Sequence, residues 1–293
     1  MRGVNRIFIP LLILLVISLP SNAYATGEAG AQFLKIGVGA KASAMGEAFV
    51  GVADDATAIY WNPAGLTRIR SVELLGMQNF YLMDMGYQYV AAALPSRYGS
   101  LGAAIAYSSS GEIPRYENFQ HIGEYTAYDA AVTIAYADRL NKAISYGIAL
   151  KMIRQKIEEE KATGFAADIG LLYKVEFIKG MKTGLLVQNL GPGIKFIEEQ
   201  DPLPQNVKLG IGYERGPFTF AVDLGKPKDN DFKVNLGGEF SIKDILALRA
   251  GYNSANSYSA GLGLRWQKVS IDYAYVPYKD IDDSHLISVK VRF

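Results

Sequence analysis

Residues 257–276, SYSAGLGLRWQKVSIDYAYV, decide the fold. Tyr258, Ala260, Leu262, Leu264 and Trp266 share one parity, and Ser259, Gly261, Gly263 and Arg265 take the other. Beyond a Gln267-Lys268 turn, Val269, Ile271, Tyr273 and Tyr275 alternate in the same way with Ser270, Asp272 and Ala274. Successive side chains of a strand point to opposite faces, so this pattern is a tight β-hairpin. One of its faces is bulky and apolar; the other is small or charged.

The device recurs outward in both directions. From Ser71 to Phe293 the chain reads as segments of roughly 8–12 residues with period-two alternation, each ended by turn residues. About fourteen segments are expected, centred near Leu75, Tyr89, Ala104, Thr133, Ile148, Ile169, Val187, Ile211, Phe220, Leu236, Leu248, Leu262, Tyr273 and Val289. Once each is framed by its large apolar residues, Asp129, Lys151, Asp168, Lys208, Glu214, Asp223, Lys233, Glu239, Arg249, Arg265, Asp272, Lys290 and Arg292 fall on the opposite face. A charge facing lipid at mid-depth costs about 2–4 kcal/mol, so a membrane barrel demands this segregation. A soluble sandwich also alternates, with its apolar face inward, and period two alone does not separate the two.

Three features favour the barrel. The non-apolar face is small between its charges, as at Gly102, Ala104, Ala106 and Ser108, which leaves room in a lumen. Tyrosines recur near strand ends on the apolar face (Tyr107, Tyr136, Tyr146, Tyr213, Tyr252, Tyr273), as interfacial girdles require. Short turns near Arg97, Asn141, Lys179, Arg215, Lys243 and Gln267 alternate with connections that are longer on average, notably Ser109–Glu124, Arg154–Ala162 and Gly191–Gln205. The expected fold is therefore all-β, a transmembrane antiparallel barrel over residues 71–293. Val289, Val291 and Phe293 continue the apolar parity to an aromatic last residue, which reads as a C-terminal signal for the barrel-insertion machinery.

Ahead of the barrel, Arg2 and Arg6 precede an apolar run from Ile7 to Leu19 and an Ala23-Tyr24-Ala25 cleavage pattern, so residues 1–25 read as a secretory signal peptide. The chain has no cysteine, and stability must come from pairing and packing rather than disulfides. Residues 26–70 do not alternate. They hold small residues, a short helical pattern in which Ala42, Met45, Ala48, Phe49 and Val52 share a side, an Asp54-Asp55 step, and an Asn62-Pro63-Ala64-Gly65 turn in which Gly permits left-handed geometry. A compact segment before a barrel is a candidate hatch, or plug, for its lumen.

The stretch AGAQFLKIGVGAKASAMGEAFVGVADDATAIYWNPAGL, Ala29 to Leu66, resembles the N-terminal signature of PorV/PorQ-type outer-membrane proteins, relatives of the FadL long-chain fatty-acid channels. Gly46, Asp54, Asp55, Asn62, Pro63, Ala64 and Gly65 carry the likeness. It implies a 14-stranded outer-membrane barrel with an N-terminal hatch. For function it leaves two classes. FadL relatives pass hydrophobic small molecules, whereas PorV is a partner and shuttle for secreted proteins in type IX secretion.

Other classes find little in the residues. Formal net charge is +1 with both signs dispersed, unlike the basic stripe of a nucleic-acid binder. His121 and His285 are the only histidines, and no metal-binding, nucleophile-elbow or phosphate-loop pattern accompanies them, so neither an enzyme, a cofactor nor a metal is expected. Asp54 and Asp55 read as helix-end and turn caps. Phe80, Tyr81, Leu82, Met83 and Met85 form an apolar outer rim suited to a ligand or partner, or equally an aromatic girdle running into a hairpin. The outer loops look short for the extracellular cap of a FadL channel, which tilts the choice toward PorV/PorQ.

Overall fold

The computed structural model describes residues 29–80, 86–117, 119–196, 199–255, 257–278 and 281–293. The strands are β1 (Glu73–Phe80), β2 (Gly86–Ser96), β3 (Gly99–Glu117), β4 (Gln120–Arg139), β5 (Ile144–Ile157), β6 (Glu160–Lys174), β7 (Met181–Leu190), β8 (Ile194–Phe196), β9 (Glu199–Asp201), β10 (Asn206–Arg215), β11 (Phe218–Pro227), β12 (Lys233–Ile242), β13 (Leu246–Asn253), β14 (Ser257–Trp266), β15 (Val269–Tyr278) and β16 (Ile281–Arg292). All but β8 and β9 form one closed antiparallel barrel, so fourteen strands make the wall, and each expected segment centre lies in its own strand. The seam joins β1 to β16 from Glu73↔Arg292 to Phe80↔His285. Among the described residues no helix is long and apolar enough to cross a membrane.

The faces are those of a protein turned inside out. Ile105, Ile134, Leu150, Leu236, Leu262 and Leu264 stand exposed on the exterior, Ile134 at 60 %, while Lys151, Asp168, Asp223, Arg249, Asp272 and Lys290 are buried inside, Asp168 at 0 %. So extensive an apolar exterior belongs in hydrocarbon rather than water.

The barrel has a turn end, which holds residues 97–98, 140–143, 175–180, 216–217, 243–245 and 267–268 and Phe293, and an opposite hairpin end. Two connections expected at the hairpin end are instead strand. β3 and β4 run 19 and 20 residues, with irregularities at Ser109/Glu112 and Arg115/Tyr116, and β5–β6 stays paired to Ile157↔Glu160. Beyond Ser109 the β3–β4 ribbon loses its neighbour β2, whose pairing begins at Gly86↔Ser109. Both faces of a projecting ribbon meet water, so the alternation that marks a strand in the wall fades there. Residues 191–205 alone remain a long connection, and these fold into the β8–β9 hairpin. Tyr81, Leu82, Met83 and Met85 of the expected apolar rim, and the expected signal peptide, lie outside the described residues; Phe80 ends β1 and is exposed.

Residues 29–70 run through the lumen from end to end as short pieces: a 3-10 turn (Gln32–Lys35), helices Ala40–Ala44 and Ala58–Trp61, and a 3-10 turn (Pro63–Arg68). At the hairpin end the Gly30 amide donates to the Pro202 carbonyl (2.9 Å). At the turn end the chain enters β1. The small lumen-facing residues therefore do not leave open space: a Cβ on Gly102 would stand 2.8 Å from Ile59 of the inner segment.

Leu262→Arg, exposed at mid-strand, is expected to cost about 2–4 kcal/mol and to block assembly, read as loss of the compact heat-modifiable species in gels. Gly263 faces inward, but a Cβ there would meet Asp272 Oδ1 at 2.5 Å and the Arg249 guanidinium at 2.7 Å, so Gly263→Arg is not the tolerant control that parity alone suggests. Gly225→Asp is, because its Cβ would find only ordinary contacts, the first with Lys208 at 3.5 Å. Equal harm from Leu262→Arg and Gly225→Asp would contradict the face assignment.

Candidate functional site

The inner segment is held to the wall by polar anchors along its length. At the turn end Asn62, fully buried, is the hub. Its Oδ1 accepts from the Ala64 amide (3.2 Å), and its Nδ2 donates to the carbonyls of Val50 (3.0 Å) and of Leu171 on β6 (3.1 Å). It caps a 3-10 turn whose first residue is Pro63, where a missing amide costs nothing. Gly65 does not use the left-handed freedom that glycine permits. Its role is closeness, since a Cβ there would lie 2.6 Å from the Ala53 carbonyl oxygen.

The Asp54-Asp55 step divides its work. Asp55 Oδ1 accepts from the Thr57 amide (3.0 Å) and hydroxyl (2.6 Å), a turn cap as expected, while its Oδ2 faces Lys290 of β16 (3.4 Å). Asp54 caps nothing and pairs with Lys41 (2.9 Å). Burial raises the Asp54 carboxyl, but Lys41, then Arg68 and Lys290, outweigh it and hold it well below the usual carboxylate range. For Asp55 burial is likewise overcome, chiefly by Lys290. Nearby, Glu73 of β1 accepts from the Ala56 amide (3.2 Å) and pairs with Arg292 of β16 (2.7 Å), so segment and seam share a network. Arg68 donates to the Val52 carbonyl and pairs with Glu214 of β10 (2.7 Å).

In mid-lumen the wall supplies acceptors and donors to exposed backbone of the segment. Asp223 of β11 accepts from the amides of Phe49 (2.7 Å) and Val50 (2.8 Å). Asn235 of β12 donates to the Gly46 carbonyl (2.6 Å), and Ser259 of β14 accepts from the Gly46 amide (3.1 Å). Gly46 has φ +62°, and a Cβ would lie 2.5 Å from the Tyr252 backbone nitrogen, so glycine is required twice over. The wall answers in kind. At Gly147, Gly170, Gly184, Gly212, Gly237 and Gly251 an added Cβ would come within 3.0 Å of the inner segment.

At the hairpin end a buried ion pair, Lys151–Asp168 (2.7 Å), organises the mouth. Lys151 also donates to Asn189 Oδ1 (2.7 Å), and Asn189 donates its amide to Asp168 (2.8 Å) and its Nδ2 to the Pro204 carbonyl (2.9 Å). This fixes the 191–205 connection across the mouth, where its own Ile194 and Leu203 are buried. A cavity of about 50 Å³ below is lined by Tyr60, Gln188, Asn206, Lys208, Asp223 and Lys233 among others, with Lys208 Nζ 4.9 Å from the Trp61 ring centroid. Two further lumen cavities measure about 30 and 20 Å³. Such spaces hold a few waters. Their volumes are too small for an acyl chain. Among the described residues no group of three or more His, Asp or Glu is placed to hold a metal ion.

The seven motif residues all lie in the lumen, Gly46 at mid-height against β12–β14 and the other six toward the turn end. Val289 and Phe293 face outward on and beyond β16, and the Phe293 amide closes onto the Val72 carbonyl (2.9 Å). Sequence reasoning missed Asp223, Asn235, Ser259 and the wall glycines as partners of the motif, although each stands on the inward parity. Asp223 was legible as an inward charge, but nothing local says what it or the others face.

The family described as "Type IX secretion system protein PorV" matches this chain over residues 21–223. No curated protein matches it in sequence. Among solved structures the chain is similar to the "CymD monoaromatic hydrocarbon channel" (14% identity, TM-score 0.67, 88% of this chain and 98% of that one). It is also similar to the Pseudomonas putida toluene transporter TodX (11%, 0.65, 87% and 97%) and a Pseudomonas aeruginosa FadL homologue (11%, 0.58, 85% and 97%). At these identities the likeness is one of fold.

Gly251→Val is expected to push the 45–46 backbone from the wall, since its Cβ would lie 2.0 Å from the Gly46 nitrogen. The segment should then be cut by protease in detergent while the barrel stays heat-modifiable; Gly76→Val, with nothing within 4 Å, should change neither. The Asp54 and Asp55 pairs set a pH limit. Carboxyls depressed in the folded state contribute fully above their unfolded value of about 4, and that contribution is lost as pH falls through the lower folded value. Protease protection of the segment should therefore persist at about pH 5 and fail only in stronger acid, and earlier in Lys41→Met. Protection lost between neutrality and about pH 5 would show that these pairs do not hold it.

Proposed function

Because the chain belongs to the PorV family of type IX secretion proteins, we propose that it is an outer-membrane partner or shuttle for secreted proteins, acting from the outside of its barrel and its rim rather than through its lumen. Residues 1–25 would be its removed leader, 26–70 its plug and 71–293 its barrel, with the turn end in the periplasm and the hairpin end at the cell surface. Val289, Val291 and Phe293 would serve its insertion.

One observation carries this reading: the lumen is occupied along its length by a segment whose backbone touches wall glycines and whose polar groups are bonded to the wall. A transport path would require those bonds to break together. Each bond is worth only about 0.5–1.5 kcal/mol net, but a buried group left unpaired costs about 1–3 kcal/mol. The cavity beneath the mouth adds support, since at about 50 Å³ it is too small to take up an acyl chain.

A channel for hydrophobic small molecules is the competing reading, and the named activities of the structural neighbours motivate its test. Phe80, Leu82, Met83 and Met85 changed together to Ser should reduce co-purification of secreted proteins with this barrel, in a host that runs type IX secretion, and leave toluene and fatty-acid uptake unchanged. Saturable binding of a fatty acid to the purified protein, lost in the same variant, would reverse the choice.

A further inference from the structure

The exterior of the β5–β6 hairpin carries an uncompensated group of cations. Arg154 and Lys156 follow the outward parity of Leu150 and Met152 on β5, and Lys161 that of Phe165 on β6. Lys156 and Lys161 are directly opposed across the ladder, with Arg154 one outward position below, opposite Thr163. Like charges opposed on a sheet repel. None of the three has an ion-pair or hydrogen-bond partner among the described residues. The carboxylates of the hairpin tip do not serve: Glu158 pairs with Arg115, Glu160 shares the lumen-facing parity of Ala162, and Glu159 lies in the turn.

The height of the group on the wall is set by its neighbours. Directly toward mid-barrel, Met152 and Phe165 oppose each other and are exposed, and Leu150 is too, so apolar wall begins one step below Arg154. Tyr128 stands opposite Lys156 and stacks on Tyr107 (6.0 Å between centroids), a tyrosine pair of the kind that marks the head-group level. Cations at that level, above hydrocarbon and facing outward, meet lipid phosphates.

We propose that Arg154, Lys156 and Lys161 form a binding site for the phosphate of an anionic lipid whose acyl chains lie against Leu150, Met152 and Phe165. The lipid supplies the counter-charge that the protein omits. The site is independent of what the barrel does in secretion.

The test uses the full chain and a variant with Arg154→Gln, Lys156→Gln and Lys161→Gln, each reconstituted in phosphatidylcholine vesicles with and without phosphatidylglycerol. Phosphatidylglycerol should raise the thermal transition of the parent by several degrees and leave the variant unmoved. In phosphatidylcholine alone the variant should be at least as stable as the parent, because the lysine–lysine repulsion is gone. Native mass spectrometry should show retention of phosphatidylglycerol over phosphatidylcholine falling roughly tenfold or more in the variant. Equal stabilisation of parent and variant by phosphatidylglycerol would overturn the site. So would full stabilisation of the detergent-solubilised parent by inorganic phosphate, which would make it a site for free anions. If the triple variant fails to close in phosphatidylcholine, Lys161→Gln alone decides by the same comparison, and an undiminished preference for phosphatidylglycerol there would reject the proposal.

Discussion

Inside hydrocarbon no backbone amide or carbonyl can go unpaired, and the whole design follows from that. β1 has only β16 to complete its ladder, so residues more than two hundred positions apart must meet before the wall is viable. The protein concentrates charge at that meeting. Glu73 joins Arg292 across the seam, and Lys290 reaches inward to Asp55, so the last ladder formed is also tied to the lumen segment. A pair buried on both sides, as Lys290–Asp55 is, adds modest net stability but heavily penalises any arrangement that separates it. It specifies the seam more than it strengthens it.

The second dependence is between the wall's small residues and the segment it encloses. Fourteen strands make a lumen too wide for wall side chains alone to fill. Here glycines on the inward parity let backbone approach backbone, and single polar side chains such as Asp223, Asn62 and Asn235 satisfy the amides and carbonyls that short, irregular turns leave open. The segment would be a poor structure by itself, since its two α-helices span five and four residues. It has a shape only because the wall supplies one.

Much of this was legible in the sequence, and the reason is the solvent. Lipid outside and polar groups inside impose strict period two on every strand, so the hairpin at 257–276 and its kin reveal strand number, faces and girdles directly. Legibility ended where that constraint ends. The β3–β4 ribbon past Ser109 is wet on both faces and reads as loop. The Asn-Pro-Ala-Gly stretch reads as a turn, yet its asparagine is spent on Val50 and Leu171, partners fixed by tertiary packing. Gly102 reads as empty space, because a sequence shows that a side chain is missing but not what occupies its place.

The lengthwise course of residues 29–70 has a consequence for the order of events. Gly30 is caught under the 191–205 connection at one end and Arg68 is bound to Glu214 at the other, with wall glycines pressed on the backbone between them. A finished barrel offers such a segment no way in. The wall must therefore gather around it, as staves are set about a core. What assembly has to protect is less the strands than this small-residue thread.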